Sequence, residues 1–570
     1  MIPDGESSFF VREKVFSLIE KRIEALEKGF RQNIALIGLP GYGKSHLLGR
    51  VYDCIAVHPK FIPIFIQAEA DDFEQLADRW MGGLLSGYLT HQGLPISESF
   101  QALLLSADPW IPKTTERLRA IKKAMRREKA GFLLKELFSL TETLHQETGK
   151  KVILLLDEFD RLELLAAGDP FGILSREIMI QKNTFFLAAS SCPSRAKTIL
   201  REKLSMLFGN FEVIPFSPLS FFETRKFLKA AALPWKWSVP QKNFLIHLTD
   251  GIPAYLELIV DRLKAYWLTP AHLENSFFQN ADQIPDAFLL EALTQELLPK
   301  GRIAAMFEDL LQRCRAIRKD YGGYFKALLA VSQGRRKVKT IAAASDKKIM
   351  ETKKILQRLC EEDILLRCGD SYILKDPLLA FWMREVYERR AHRYVPSQQP
   401  WKEEVYLSLQ KTFQKFSGLE TASEGGRLEA LLSGFHNEVL DIDGKKIVCP
   451  QFHEILLRVQ PPYSFILSAK NAKNRWVCLI ASEPAGEEDV LGFLEEMKKY
   501  RKKPQRFLIA LRGLDQKAKL IAQQAGVQVW DLRLVNKLLE IYDLPKIIPL
   551  EKNLTHEPDL GALAQSVYTA

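Results

Sequence analysis

Short apolar runs of strand length punctuate the N-terminal part of the chain, and longer stretches with apolar residues at helical spacing lie between them. Residues 33–37 (NIALI), 61–66, 151–156, 184–190 and 211–215 read as five buried strands. Residues 11–30 read as an amphipathic helix leading into the first strand, and 72–148 are mostly helical in pattern. Strands separated by helices predict a parallel sheet covered on both faces. The Pro215-Phe-Ser-Pro218 segment marks an exit from that sheet, and the helical patterns of 220–267 then read as a small lid. Residues 290–395 are helix-rich and end in a short strand pair. The polar, proline-flanked stretch 394–400 is a linker candidate. Residues 401–548 alternate helices and strands again, as a separate α/β unit, and the tail beyond Pro549 is expected to be disordered.

The first strand runs into Gly38-Leu-Pro-Gly-Tyr-Gly-Lys-Ser45, the GxxxxGKS pattern of phosphate-binding loops, and a helix follows. Glycines let backbone N–H groups curl around phosphates, and the helix start adds partial positive charge. Nucleotide contacts are assigned to Gly38, Pro40, Gly41, Tyr42, Gly43, Lys44, Ser45 and His46. Lys44 would neutralise the β- and γ-phosphates of ATP, and the Ser45 hydroxyl would ligate Mg²⁺. The third strand ends in Asp157-Glu158. Asp157 would hold Mg²⁺ with Ser45, and Glu158 would polarise the attacking water as general base. The fourth strand ends in Ser190-Ser191-Cys192. Ser191 or Ser190 could orient the water, or simply cap the strand. Arg195 and Arg201 follow, and either could stabilise transition-state charge; Arg201 is preferred.

Together these segments carry a family resemblance. Phe10-Val-Arg-Glu13 resembles the box that opens origin-recognition-type ATPases and the archaeal ATPase group. GLPGYGKS, VILLLDEFD and the later Gly251-Ile-Pro253 resemble the loop, acidic strand and GxP motif of the AAA+/STAND class. The resemblance covers residues 8–395 and implies that Pro253 lies near the adenine of ATP. The sequence departs from origin-recognition proteins in the lid helix, where Ala254 and Tyr255 replace an expected basic residue. Residues 324–374 resemble the winged helix-turn-helix of the archaeal group. Ser345 and Asp346 are expected to cap its third helix, with Ile349, Ile355, Leu356 and Leu359 facing inward. Lys347, Lys348, Lys353, Lys354 and Arg358 on its other faces would meet double-stranded DNA, unless that face is only solvated. The strand–strand–helix–strand–helix–strand order of 401–548 resembles restriction endonucleases. Their Asp and Glu-x-Lys are absent here: residues 464–467 and 479–483 read SFIL and LIASE. Asp441 and Asp443, in Asp-Ile-Asp-Gly, read as a hairpin turn.

The expected fold class is therefore α/β: a P-loop NTPase core (1–216), a helical lid (217–289), a winged helix-turn-helix (290–394), a linker (395–400), an endonuclease-like domain (401–548) and a tail (549–570). About three to four domains suit the 570 residues. A net charge of +10 permits nucleic acid as a partner without requiring it. Seven scattered cysteines without a CxxC pair argue against zinc and disulfides and for a reducing compartment. No apolar run approaches the ~18 residues of a membrane helix, and residues 1–10 lack a signal-peptide pattern, so a cytoplasmic location is expected. Three functions fit: an ATP-driven DNA-binding switch, an ATP-gated nuclease of a defence system, or a STAND-like scaffold with a protein partner or a homo-oligomeric state.

Overall fold

The computed structural model describes residues 12–549, apart from 71, 166–167, 205–210, 232, 234, 269–282, 317–320, 392–398, 421–422, 443, 461–463, 482 and 501–502. Phe10 and Val11 of the opening box, residues 394–398 of the linker candidate, Asp443, Ser482 and the tail beyond Pro549 thus lie outside the described residues. The chain divides into two units: Met1–Pro218 with Glu361–Asp363 and Asp559–Ala570, and Leu219–Cys360 with Ile364–Pro558.

In the first unit, β1 (Asn33–Ile37), β2 (Phe61–Gln67), β3 (Lys151–Asp157), β4 (Thr184–Ser190) and β5 (Phe211–Pro215) form one sheet in the order β2-β3-β4-β1-β5. Every pairing is parallel. All five residues of β1 and all seven of β4 are buried, which is why these strands read as unbroken apolar runs. Parallel strands place their C-terminal ends along one edge, where ligands meet open α/β sheets. Because β4 lies between β1 and β3, its end sits between the glycine loop and Asp157. The Gly38 amide donates to the Ser190 carbonyl (3.2 Å). The helix Phe73–His91 packs directly on β2, because Gly87 carries no Cβ, which would stand 2.0 Å from the Pro63 oxygen. That helix starts at Asp72, whose carboxylate accepts from Gln75 N (2.8 Å), a cap worth about 1 kcal/mol.

The second unit begins with the helices Phe221–Ala230, Val239–Thr249 and Pro253–Trp267. Its C-terminal segment is tied to them. The buried Lys546 ammonium pairs with Asp250, and Arg225 donates to the Pro549 carbonyl (2.6 Å). Helices Tyr321–Ser332, Val338–Ser345 and Ile349–Glu361 precede the antiparallel pair β6 (Leu365–Cys368) and β7 (Ser371–Leu374). Three helices followed by a hairpin is the element order expected from the sequence for this segment. Three details differ from expectation. Ser345 and Asp346 do not cap the third helix: the Ser345 hydroxyl donates back to Ile341 O (2.8 Å), and Asp346, at φ 54°, ends the preceding helix. Ile349 is 45% exposed, and Thr352 takes its place on the buried side. The strand pair does not end the segment: Asp376 caps a further helix, Pro377–Trp382.

The rest of this unit holds the helices Gln399–Glu420 and Glu424–Ser433, then a hairpin of β8 (Glu438–Ile442) and β9 (Lys445–Cys449). The first of these helices starts two residues before the expected 401. A mixed sheet follows, β10-β11-β12-β13-β14, built from Glu454–Gln460, Ser464–Lys470, Arg475–Ala481, Gln505–Ala510 and Gln528–Asp531. The first three strands are an antiparallel meander and the last two join in parallel. β8 and β9 flank the turn that Asp-Ile-Asp-Gly predicts, whereas β10 escapes the sequence reading because its apolar side chains are partly exposed, as at Leu456 and Val459.

Candidate nucleotide-binding site

The loop after β1 takes its shape from its glycines. A Cβ at Gly38 would lie 2.2 Å from the Phe216 carbonyl oxygen, so β1 can turn there only without a side chain. Gly41 (φ 77°) and Gly43 (φ 90°) occupy the left-handed region that side chains avoid. The helix Lys44–Ala56 starts immediately after Gly43, aiming its first amides at the loop. Tyr42 is buried, whereas Pro40, Ser45 and His46 are exposed at this edge. Lys44 is buried, its ammonium donating to the carbonyls of Gly38 (2.9 Å) and Leu39 (2.8 Å). Burial pushes its pKa down to about 8, against the opposing charges of Glu158, Asp157 and Asp160. A buried cation within a glycine loop that leads into a helix start is the donor set that a polyphosphate requires.

Asp157 ends β3 and is buried, accepting a hydrogen bond from the Ser45 side chain and one from Glu158 N (3.0 Å). Burial raises its pKa despite these bonds. A serine hydroxyl and a carboxylate in contact are hard oxygen donors, and Mg²⁺ in such sites takes few protein ligands beside substrate phosphates. Ser45 and Asp157 therefore fit this ion. Among the described residues no group of three or more His, Cys, Asp and Glu could hold a metal by itself.

Glu158 has a left-handed backbone (φ 52°), uncommon for a residue with a side chain. Its carboxylate is held by Ser191: the amide donates to Oε2 (3.0 Å) and the hydroxyl to Oε1. The Ser191 hydroxyl is thus engaged on Glu158. Ser190 is buried, its hydroxyl accepting from Cys192 N (3.0 Å). Of the two arginines, Arg195 is committed to Asp160 (3.3 Å) and Glu362 (3.1 Å). The Arg201 side chain is 73% exposed and meets Glu202 (2.9 Å). Asp160, Glu362 and Asp363 were not singled out in the sequence. The only signal for Asp160 is its place in Asp157-Glu-Phe-Asp, and the acidic run 361–363 looks like an ordinary helix end.

Arg12, from the opening box, lies over the Phe216 ring at 4.2 Å and bonds the Ser217 carbonyl. Pro253 belongs to the second unit, as the first residue of Pro253–Trp267. There Tyr255 donates its hydroxyl to Asp376 (2.5 Å), whose pKa burial lifts to about 6. Lys353, Lys354 and Arg358 are exposed on Ile349–Glu361, Lys348 is exposed just before it and Lys347 is half-buried. Arg358 also donates to the Tyr324 hydroxyl (2.9 Å). On the two strands expected from the sequence to correspond to the acidic strands of endonucleases, Ile466, Leu467, Leu479, Ile480 and Ala481 are buried apolar residues, and Glu483 is exposed beyond the second strand.

No protein-family model matches the chain, and no curated protein matches it. Solved structures do. A Walker-type ATPase of Pyrococcus abyssi aligns at 17% identity over 66% of this chain and 96% of its own, with a TM-score of 0.41. The Aeropyrum pernix ORC2 protein, solved as ADPNP–ADP complexes, aligns at 12% identity over 72% and 98%, with a TM-score of 0.43. A Drosophila ORC structure bound to DNA aligns at 10% identity over 67% and 88%, with a TM-score of 0.31. By its own sheet order, glycine loop and acidic strand end, the first unit has the P-loop NTPase fold.

Proposed function

We propose that this chain is a molecular switch that binds and hydrolyses ATP and binds double-stranded DNA through its winged helix. The arrangement at one sheet edge supports this reading most directly: Lys44 in the loop, Ser45 bonded to Asp157, and Glu158 beside them. Loop amides and Lys44 would hold the phosphates, and Ser45 and Asp157 would hold Mg²⁺. When bound, the ion would neutralise charge on the phosphates. Glu158 would take the proton of the attacking water. Ser191 is the residue that Glu158 meets through both carboxylate oxygens. Arg201, exposed and paired with the neighbouring Glu202, is suited to act on the nucleotide of a second copy.

The DNA contacts are assigned to Lys347, Lys348, Lys353, Lys354 and Arg358. Replacing the four lysines by Glu should weaken duplex binding at least tenfold or so and flatten its salt dependence, since each phosphate contact contributes about 0.9 to the slope. Filter binding with and without ATP, over a salt series, measures both. Unchanged affinity and slope would favour a scaffold that binds protein instead.

The C-terminal sheet is proposed as an endonuclease-like domain that does not cut. Metal-assisted cleavage needs carboxylates to hold the ion, and buried Ile466, Leu467, Leu479 and Ile480 supply none. Plasmid incubated with the protein and Mg²⁺ or Mn²⁺, with or without ATP, should stay intact. Cutting that disappears in Glu483→Ala would instead point to the ATP-gated nuclease.

A further inference from the structure

Three acidic residues that belong to the first unit, Glu361–Asp363, come from a distant part of the chain. They directly continue the helix that carries Lys353 and Lys354. Their contacts fall on one turn, the one that follows β4. Asp363 is 5% exposed, and its carboxylate accepts from Ser194 N (2.7 Å) and from the Ser194 hydroxyl (2.9 Å). The Cys192 thiol points at the same carboxylate and at the Glu361 carbonyl, each at 3.7 Å. Glu362 takes Arg195 through both oxygens at 3.1 Å, and the other face of that guanidinium meets the buried Asp160 at 3.3 Å. The turn 192–195 is therefore clamped at every residue that carries a polar side chain.

Ser191, the residue just before this turn, is the one that grips Glu158. Its amide and hydroxyl occupy both carboxylate oxygens, and the Glu158 backbone stays in its left-handed conformation. A general base has to reach the proton it takes, and a carboxylate with both oxygens directed at Ser191 must turn away from it to do so.

We propose that Glu362 and Asp363 are positioning residues for hydrolysis: by clamping the turn 192–195 they keep Ser191 on Glu158 and hold the general base in reserve. The inference rests on the ATPase reading above. Buried charged groups in mutual contact serve well as such a device, since breaking one contact leaves an unpaired charge rather than a graded loosening.

The test uses the full chain. Asp363, at φ 60°, tolerates Gly without backbone strain, so Asp363→Gly removes the carboxylate alone. It should raise kcat for ATP about tenfold, the effect of losing one hydrogen bond to a charged group, and leave the Kd for ATP unchanged. Asp363→Asn keeps an acceptor for Ser194 N and should stay within about threefold of the parent. Glu362→Gln, which keeps the side-chain shape, should raise kcat by about threefold. Ser191→Ala should also raise kcat, and adding Asp363→Gly to it should bring no further gain, because both act on one contact. A merely structural role would lower kcat or weaken ATP binding. If the parent chain binds no ATP, the ATPase reading fails. If it binds ATP and Asp363→Gly and Glu362→Gln hydrolyse it no faster, the clamp alone is overturned.

Discussion

Replacing Glu158 by Gln should leave ATP bound and slow its hydrolysis by roughly 10²–10⁴-fold, the range for removing a general base. Gln keeps the length of the side chain, and its carbonyl oxygen can still accept from the Ser191 amide, which lies 3.0 Å from Glu158 Oε2. The loop, Lys44 and the Ser45–Asp157 pair are untouched, so nucleotide affinity should hold. What disappears is the capacity to take a proton. Single-turnover hydrolysis measured beside equilibrium ATP binding separates the two effects. Turnover at the parental rate would move the base role to another residue.

Lys44→Ala should abolish tight ATP binding. The ammonium is buried, and removing one partner of a buried, hydrogen-bonded charge pair costs roughly 2–5 kcal/mol, about thirtyfold to several thousandfold in Kd. Within the loop 38–45, no other side chain carries positive charge. The lowered pKa of Lys44, about 8, adds a pH dependence with a definite sign. Phosphates favour the protonated amine, so binding takes up a proton wherever the free protein has lost it. Affinity should be nearly flat below pH 7 and about tenfold weaker at pH 9 than at pH 7. Titration of ATP into the protein across that range, with Lys44→Ala as the reference, reads both effects. Unchanged affinity in the variant would place the phosphates elsewhere.

The parts of this fold that the sequence made legible are those whose signal is local. β1 and β4 are buried along their whole length and stand out as apolar runs. The glycine loop follows β1 directly and the acidic pair closes β3, so each is readable as contiguous chain. β10 (EILLRVQ) was not recognised because an edge strand with one exposed face mixes charged and apolar residues without a clean alternation. The helix boundary at residues 345–349 was misplaced because Ser345 has two hydrogen-bonding options, forward as a cap or backward to Ile341, and takes the second. In the candidate site, the contacts that decide how Glu158 is held span large separations. Ser191 lies 33 residues away, Arg195 meets Asp160 across 35, and Ser194 meets Asp363 across 169. No periodicity or motif spacing encodes such pairings; the first two follow from the strand order, which sets the end of β4 beside that of β3, and the third brings in a segment from outside the sheet.

The switch rests on one chain coupling nucleotide chemistry to DNA, so ATP hydrolysis by the full-length protein, measured with and without duplex DNA at low salt, tests it most directly. Mg²⁺-dependent hydrolysis that duplex DNA stimulates is expected, with stimulation lost when Lys347, Lys348, Lys353 and Lys354 are replaced by Glu. Hydrolysis indifferent to DNA at every concentration, or no hydrolysis at all with Mg²⁺ present, would contradict it.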